Sequence, residues 1–359
     1  MSKYSTIIGM DLGDTYHHYC ALDAISGEVM NEGRVRCTKA ALERLFTTMQ
    51  PALVAVETGT HSPWVSRLLT ELGHQVLVGN ARKLRAIYTD KQKCDQRDAE
   101  MLARMARMDP KLLSPIRHRG QQAQADLALI RSRDNAVAVR TKLINHVRGS
   151  VKSYGQRLPA SSAPAFHHKA AQAIPEDLRP ALMPILNLIE SLTKTIRGYD
   201  KTIAQYCQDK YPETELLRSV PGVGPITALS FILTLEDPHR FKKSRDVPAF
   251  FGLTPARSQS GDADPQLRIT KQGDSAMRRL LVSCAHYVLG PFGPDSHLRQ
   301  WGLQLAEGGS SRTKRRAVVA VARKLAVLLH RLWMDGAYYT PFPDEPSQPG
   351  HNISNDAAA

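Results

Sequence analysis

The sequence predicts an α/β domain at the N-terminus, a helical and coiled-coil middle and a mainly helical C-terminal domain. Three observations predict it. Short apolar runs separated by turns fill residues 6–78, as strands and brief helices do. Apolar residues spaced alternately by three and four run from Leu182 to Tyr206. From residue 214 onward, apolar positions recur at helical spacing around a glycine-rich turn.

The first elements read as a β-meander. Ile7–Met10 is a strand, Gly13-Asp14 a turn, Tyr16–Leu22 a second strand, Ser26-Gly27 a second turn, and Val29–Cys37 a third strand. Residues 39–49 read as a helix. Leu53–Val56 is apolar on both faces, as in the centre of a covered sheet. Ser62–Leu72 is a helix closed by Gly73, and Gln75–Val78 is a fifth strand. A helix bearing Asp95 and Asp98 follows. This order suits an RNase H-type domain over residues 1–110.

Residues 111–213 form a basic helical and coiled-coil region. Arg117, Arg119, Arg131, Arg133, Arg140, Lys142, Arg148, Lys152 and Arg157 face only Asp126 and Asp134. Residues 158–180, rich in Ala, Pro and Ser, read as a loop or linker. Leu182, Ile185, Ile189, Leu192, Ile196, Tyr199, Ile203 and Tyr206 form a heptad seam. That seam pairs either with a second chain or with the helix over 121–150. Residues 214–335 form the C-terminal domain, and the proline-rich tail 336–359 is expected to be disordered.

The 359 residues carry a formal net charge of +14, which favours a polyanionic partner through counterion release. Cys20, Cys37, Cys94, Cys207 and Cys284 lack the spacing of a zinc or redox motif and read as reduced thiols of a cytoplasmic, nucleoid-associated protein. No apolar run reaches membrane-spanning length; Ala317–Leu329 is broken by Arg323 and Lys324. The adjacent pairs His17-His18 and His167-His168 do not resemble a zinc site.

Four acids are the leading candidates for chemistry. Asp11 and Glu57 each end an apolar strand, and Asp95 and Asp98 lie one helical turn apart. Hard divalent cations take oxygen ligands, and phosphoryl transfer needs several carboxylates at one point. Mg²⁺, or Mn²⁺, is the expected cofactor. Asp14 reads as a turn residue after Gly13.

Three further segments are candidates for nucleic-acid contact. Leu216–Ala228 reads as helix, glycine hairpin, helix, in which Gly222 and Gly224 let backbone N–H groups approach a phosphate. Ser260, before a glycine and flanked by Arg257, Arg268 and Lys271, has the setting of a nucleophile toward phosphorus, although most Ser-Gly loops are only loops. Arg312, Lys314, Arg315 and Arg316 open a helix whose apolar residues Val318, Val321, Leu325, Leu328 and Leu332 pack inward.

Taken in order, Gly9-Met10-Asp11, Ala55–Thr60, Lys93–Ala99, Pro221–Gly224, Gly252–Pro255, Ser260-Gly261, Thr270–Gly273 and Met277–Leu281 resemble the insertion-sequence transposases that pair a RuvC-like N-terminal domain with a serine-bearing C-terminal domain. This is the family guided by a bridge RNA. Asp14 and Cys94 stand where the family often has lysine and threonine. The resemblance implies that Asp11, Glu57, Asp95 and Asp98 bind metal and that Ser260 is the nucleophile, with Ser258 as the alternative. It further implies strand exchange through a phosphoserine, target and donor DNA and a structured guide RNA as partners. It also implies a homo-oligomer, a dimer that becomes a tetramer in the synaptic complex, in which acids and serine come from different subunits. Two other readings stand beside it: a junction-resolvase-like endonuclease using water, and a non-catalytic nucleic-acid-binding scaffold.

Overall fold

The computed structural model describes residues 4–84, 94–260, 265 and 267–343. The chain divides into two compact units, Met1–Gly120 and Gln121–Ala359.

The first unit is built on a five-stranded sheet. β1 (Thr6–Leu12), β2 (Tyr16–Asp23) and β3 (Val29–Arg36) form an antiparallel meander, and β4 (Leu53–Glu57) and β5 (Gln75–Gly79) join it in parallel, giving the order β3-β2-β1-β4-β5. Both faces of β1 and β4 are covered, so alternate residues enter different cores. Ile8, Met10, Val54 and Val56 pack with Leu42 and Phe46 of α1 (Lys39–Phe46) and with Val65 and Leu69 of α2 (Ser62–Glu71). Ile7, Leu53 and Ala55 pack on the other side with Leu102 and Ala106 of α3 (Asp95–Met108). Thr38 caps α1 by accepting from the Ala41 N–H at 3.3 Å.

The second unit begins with a helical hairpin. α4 (Gln121–Ser153) and α6 (Arg179–Asp209) run antiparallel, as their cross-pairs Arg133–Asp200 and Arg140–Thr193 require. Ile144, Val147 and Val151 meet Leu182, Leu186 and Ile189 at one end; Ala123, Leu127 and Ile130 meet Ile203 and Cys207 at the other. The heptad repeat therefore folds back within the chain, the second of the two pairings expected. Its burial differs in detail from the expected seam. Leu182, Ile189, Ile196 and Ile203 are buried, but Leu186, Thr193 and Cys207 take the alternate places. Ile185, Leu192, Tyr199 and Tyr206 are only half-buried. The stretch expected as a linker holds α5 (Phe166–Ala171), because Phe166 and Ala170, four apart, fill the end of the hairpin core.

The remaining helices are α7 (Thr214–Arg218), α8 (Pro225–Leu235), α9 (Val247–Phe250), α10 (Ser275–Leu289), α11 (His297–Ala306) and α12 (Ser311–Asp335). Their core joins Phe231, Phe251, Leu281, Val321, Leu325 and Leu329. The tail, expected to lack structure, is tied in its described part at Tyr339, Pro341 and Phe342, and residues 344–359 lie outside the described residues. Tyr339 N–H donates to Ser219 Oγ at 2.9 Å, and Pro341 O accepts from His297 N–H at 3.1 Å. No described helix is long and apolar enough to cross a membrane. All five cysteines are free thiols.

His17 shows what the fold costs at low pH. It is wholly buried on the α2 side of β2, 6.1 Å from the Trp64 ring. Burial first, and His61 beside it second, push its pKa down from 6.5 to about 4. The unfolded chain therefore carries the extra proton between those values. Stability is full above pH 6.5 and falls as pH drops toward 4, by about 3 kcal/mol in total. Denaturant midpoints read from tryptophan fluorescence, with Trp301 and Trp333 replaced by Phe so that Trp64 reports, should fall across that window, and His17→Leu should flatten the dependence.

Candidate active site and nucleic-acid contacts

Strand register brings two acids together. β1 and β4 are parallel with Met10 beside Val56, so Asp11 and Glu57 follow as neighbours at the same end of the sheet. The alternation that sends Ile7 and Leu53 to the α3 side sends Asp11 and Glu57 there too. Both are half-buried.

α3 brings the second pair. Its first turn holds Asp95 and Asp98, and its backbone lies directly on β1. A Cβ on Gly9 would stand 2.0 Å from Ala99 O and 2.5 Å from Ala103 N. Asp95 is then within 3.6 Å of His18 Nδ1, and His18 is the cross-strand partner of Asp11. All four acids thus belong to one end and one face of the sheet. Among the described residues no three His, Cys, Asp or Glu side chains are grouped closely enough to hold a metal ion. The donor set fits a hard divalent cation in chemistry, all four ligands being carboxylates, but the side chains are not closed into a cage.

The backbone after Glu57 is tied on several sides. Thr58 donates from both N–H and Oγ1 to Gly79 O, at 2.9 and 2.6 Å. Ser62 Oγ donates to Gly59 O at 2.8 Å and lies 2.8 Å from His118 Nε2. Burial lowers the pKa of His118, with Arg67 and Arg119 adding to the effect. Asp14, the turn residue, meets His61 Nε2 at 2.9 Å, while Trp64 Nε1 donates to His61 Nδ1 at 3.2 Å. The Trp64 bond makes Nδ1 an acceptor, so Nε2–H donates to Asp14.

His18 was missed in the sequence, where adjacent histidines read as a poor metal site. The usable signal was the hairpin itself: pairing outward from the turn at Gly13-Asp14 sets His18 across from Asp11.

The other candidates lie in the second unit. Gly222 has a positive φ of 88°, and a Cβ there would meet the Tyr287 ring at 2.6 Å. Gly224 is the N-terminal cap of α8 and has open space where its Cβ would be. The first glycine answers to packing, and the second leaves a helix N-terminus approachable. Ser258 and Ser260 are exposed on a loop whose base is the bridge between Pro255 and Ile269. Residues 261–264, including the acidic Asp262 and Asp264, lie outside the described residues. The loop stands on two close backbone contacts. A Cβ on Gly252 would meet Gln272 O at 2.2 Å, and one on Gly273 would meet Phe250 O at 2.0 Å. Arg257, Arg268 and Lys271 are exposed around it. Arg312, Lys314, Arg315 and Arg316 are exposed on the first turns of α12, which Ser310 caps through the Thr313 N–H.

The sequence profile described as transposase, of the DEDD IS110 type, matches residues 8–155, and that of the transposase IS116/IS110/IS902 family matches residues 214–298. Similar proteins include the transposase for insertion sequence element IS1328 of Yersinia enterocolitica, 28% identical over 79% of this chain and 84% of that protein. The transposase for insertion sequence element IS1111A of Coxiella burnetii is 27% identical over 91% of this chain and 89% of its own length. A probable family 20 transposase of Pseudomonas aeruginosa is 26% identical over 93% of this chain and 98% of its own.

The contact at Gly9 is testable through stability. Gly9→Val forces α3 off β1 and should destabilise the protein by at least the ~1–3 kcal/mol of ordinary overpacking. Gly59→Ala, with nothing within 4 Å of the added methyl, should change stability by less than about 1 kcal/mol. Denaturant titrations of the two variants check both.

Proposed function

The chain belongs to the IS116/IS110/IS902 family of transposases, and on that premise we propose that it cleaves and exchanges DNA strands through a phosphoserine at Ser260. The observation that carries the proposal is the placement of Asp11 and Glu57 as neighbours on the sheet face covered by the helix of Asp95 and Asp98. Those four carboxylates would hold Mg²⁺ or Mn²⁺, which when bound supplies charge stabilisation on the phosphoryl oxygens.

The chain's own part is as follows. Ser260 Oγ attacks the scissile phosphorus and loses its proton to solvent; the Oγ–P bond forms as the bond to the departing DNA oxygen breaks. A hydroxyl at the end of a second strand then attacks the same phosphorus. Its new P–O bond replaces Oγ–P, and the serine is regenerated. Two exchanges of equivalent ester bonds keep the bond energy that hydrolysis would lose. Arg257, Arg268 and Lys271 flank the serine with the positive charge that a phosphoryl group needs. Gly224, Arg312, Lys314, Arg315 and Arg316 would hold nucleic-acid backbone, including a structured guide RNA, with Gly222 shaping the turn that presents Gly224.

Self-association is part of the same proposal. The hairpin leaves Ile185 and Leu192 half-buried and Leu188 53% exposed on α6. That apolar row supports a dimer through the helices, with acids and serine supplied by different subunits. Leu188→Glu should shift the mass measured by light scattering toward the monomer.

A metal-dependent nuclease is the second reading, favoured by one fact: all four acids lie in the first compact unit, without the serine. Incubation with labelled DNA decides between them. Ser260→Ala should lose the covalent protein–DNA adduct and all strand exchange, whereas a nuclease using water would still cut. Asp11→Asn and Glu57→Gln should each lower the rate by at least about a hundredfold, on the scale of removing one transition-state stabilising group. Chelation of divalent cations should abolish turnover in the parent protein.

A further inference from the structure

α12 carries a second basic stretch, well past its first turns. Arg323, Lys324 and Arg331 are exposed along it, with Val327 and Leu328 between them only half-buried. These residues line a cavity of about 650 Å³, joined by Arg245. The volume lies in the usual range of ~300–1,000 Å³ for sites that enclose a small organic group.

The walls have a mixed chemistry. Pro248, Leu298, Val327 and Leu328 make an apolar lining, while four cationic side chains share the same space and no Asp or Glu is among its described lining residues. Two of the cations have local partners: Lys324 Nζ lies 3.7 Å from the centre of the Trp301 ring, and Arg331 pairs with Asp335 at 3.3 Å. That pair is exposed and weakly held, so a phosphate can compete for the guanidinium.

The remaining wall is the chain after α12. Tyr339, Pro341 and Pro343 border the cavity. They are fixed by the two backbone hydrogen bonds at Tyr339 and Pro341 and by the Phe342 ring standing edge-on to His297 at 4.9 Å. The cavity is thus bounded by a tied segment rather than a loose end.

An apolar peptide would bring no anion to the four cations, and a bare phosphate would leave the apolar lining unused. A nucleotide satisfies both, its phosphates on the arginines and its base against aliphatic and proline surface. A base stacked in duplex cannot enter without unpairing. We propose that this cavity takes one unstacked base of a single-stranded polynucleotide, with the flanking phosphates on Arg323 and Arg331. The site involves neither the acids nor Ser260.

The test is fluorescence anisotropy with the full chain in a chelator, so that strand chemistry is silent and a failure of the catalytic reading cannot mimic a failure here. Probes are single-stranded DNA and RNA of one sequence, the matching duplex, and a DNA strand with abasic positions. Arg323→Ala with Arg331→Ala removes two exposed side chains. Affinity for both single strands should fall about tenfold at low salt, and the log–log salt slope should fall by about 1.4, for two phosphate contacts on a single strand. Val327→Phe, which narrows the cavity where the base would lie, should weaken base-bearing strands at least about fivefold, the lower end for one base–aromatic stack, and leave the abasic strand unchanged. Either sugar satisfies the proposal, and the DNA and RNA arms tell which is preferred. An unchanged salt slope, an equal loss on duplex, an equal effect of Val327→Phe on the abasic strand, or competition by polyglutamate as strong as by the single strand would each overturn it.

Discussion

The approach of α3 to β1 at Gly9 is the constraint on which the N-terminal unit depends. Two acids are placed by strand register and two by a helix, so their separation is set by how low the helix sits on the sheet. Gly9 offers no side chain, and the facing positions on α3 are Ala99 and Ala103, one turn apart. Cys20 and Leu22 of β2 complete that small, fully buried cluster. A larger residue at any of these places would raise α3 and carry Asp95 and Asp98 away from Asp11. The spacing of the acids is therefore encoded in residues that have no chemistry of their own.

That division explains what could be read from the sequence. The strands were legible because their alternation, and the unbroken apolar run of β4, follow from burial on one face or both. The candidate acids were legible because a carboxylate at the end of such a run has few structural reasons to be there. The packing of Gly9 against Ala99 and Ala103 was not, because small residues carry no periodic signal. His18 was missed for a related reason: its meaning lies in its cross-strand partner, Asp11, and not in its neighbour His17, which points into the opposite core.

The helical hairpin shows a different limit. Heptad positions Leu182, Ile189, Ile196 and Ile203 were read correctly as buried, but the intervening row was displaced by one residue, to Leu186, Thr193 and Cys207. The displacement has a polar cause. Arg140 of α4 is buried and donates to Thr193 Oγ1 at 3.3 Å, and Thr193 in turn donates to Ile189 O at 2.8 Å. Nearer the other end Asp126 is buried. Burial alone would raise its pKa, yet hydrogen bonds from Gln122 and Tyr211 and the ammonium of Lys210 outweigh that and lower it. A one-turn slip would strand these groups without partners, which costs more than the apolar contacts it would exchange. Hydrophobic spacing proposes the hairpin, and buried polar pairs select its register.

The same pairs change how the charge of the chain should be read. The net +14 suggests basic surface throughout the middle region. In the fold, Arg133 is engaged with Asp200, Arg131 with Asp274 and Arg279 with Asp134. Arg140 is buried in the hairpin. Arg131, Arg133 and Arg140 thus serve pairing within the fold, while Lys142, Arg148, Lys152 and Arg157 stay exposed. Exposed positive charge gathers further around the Pro255–Ile269 loop and along α12, where Arg312 to Arg316 and then Arg323, Lys324 and Arg331 line successive turns. Composition gives the sign of the partner, but only the pairing of each arginine shows which surface is left to meet it.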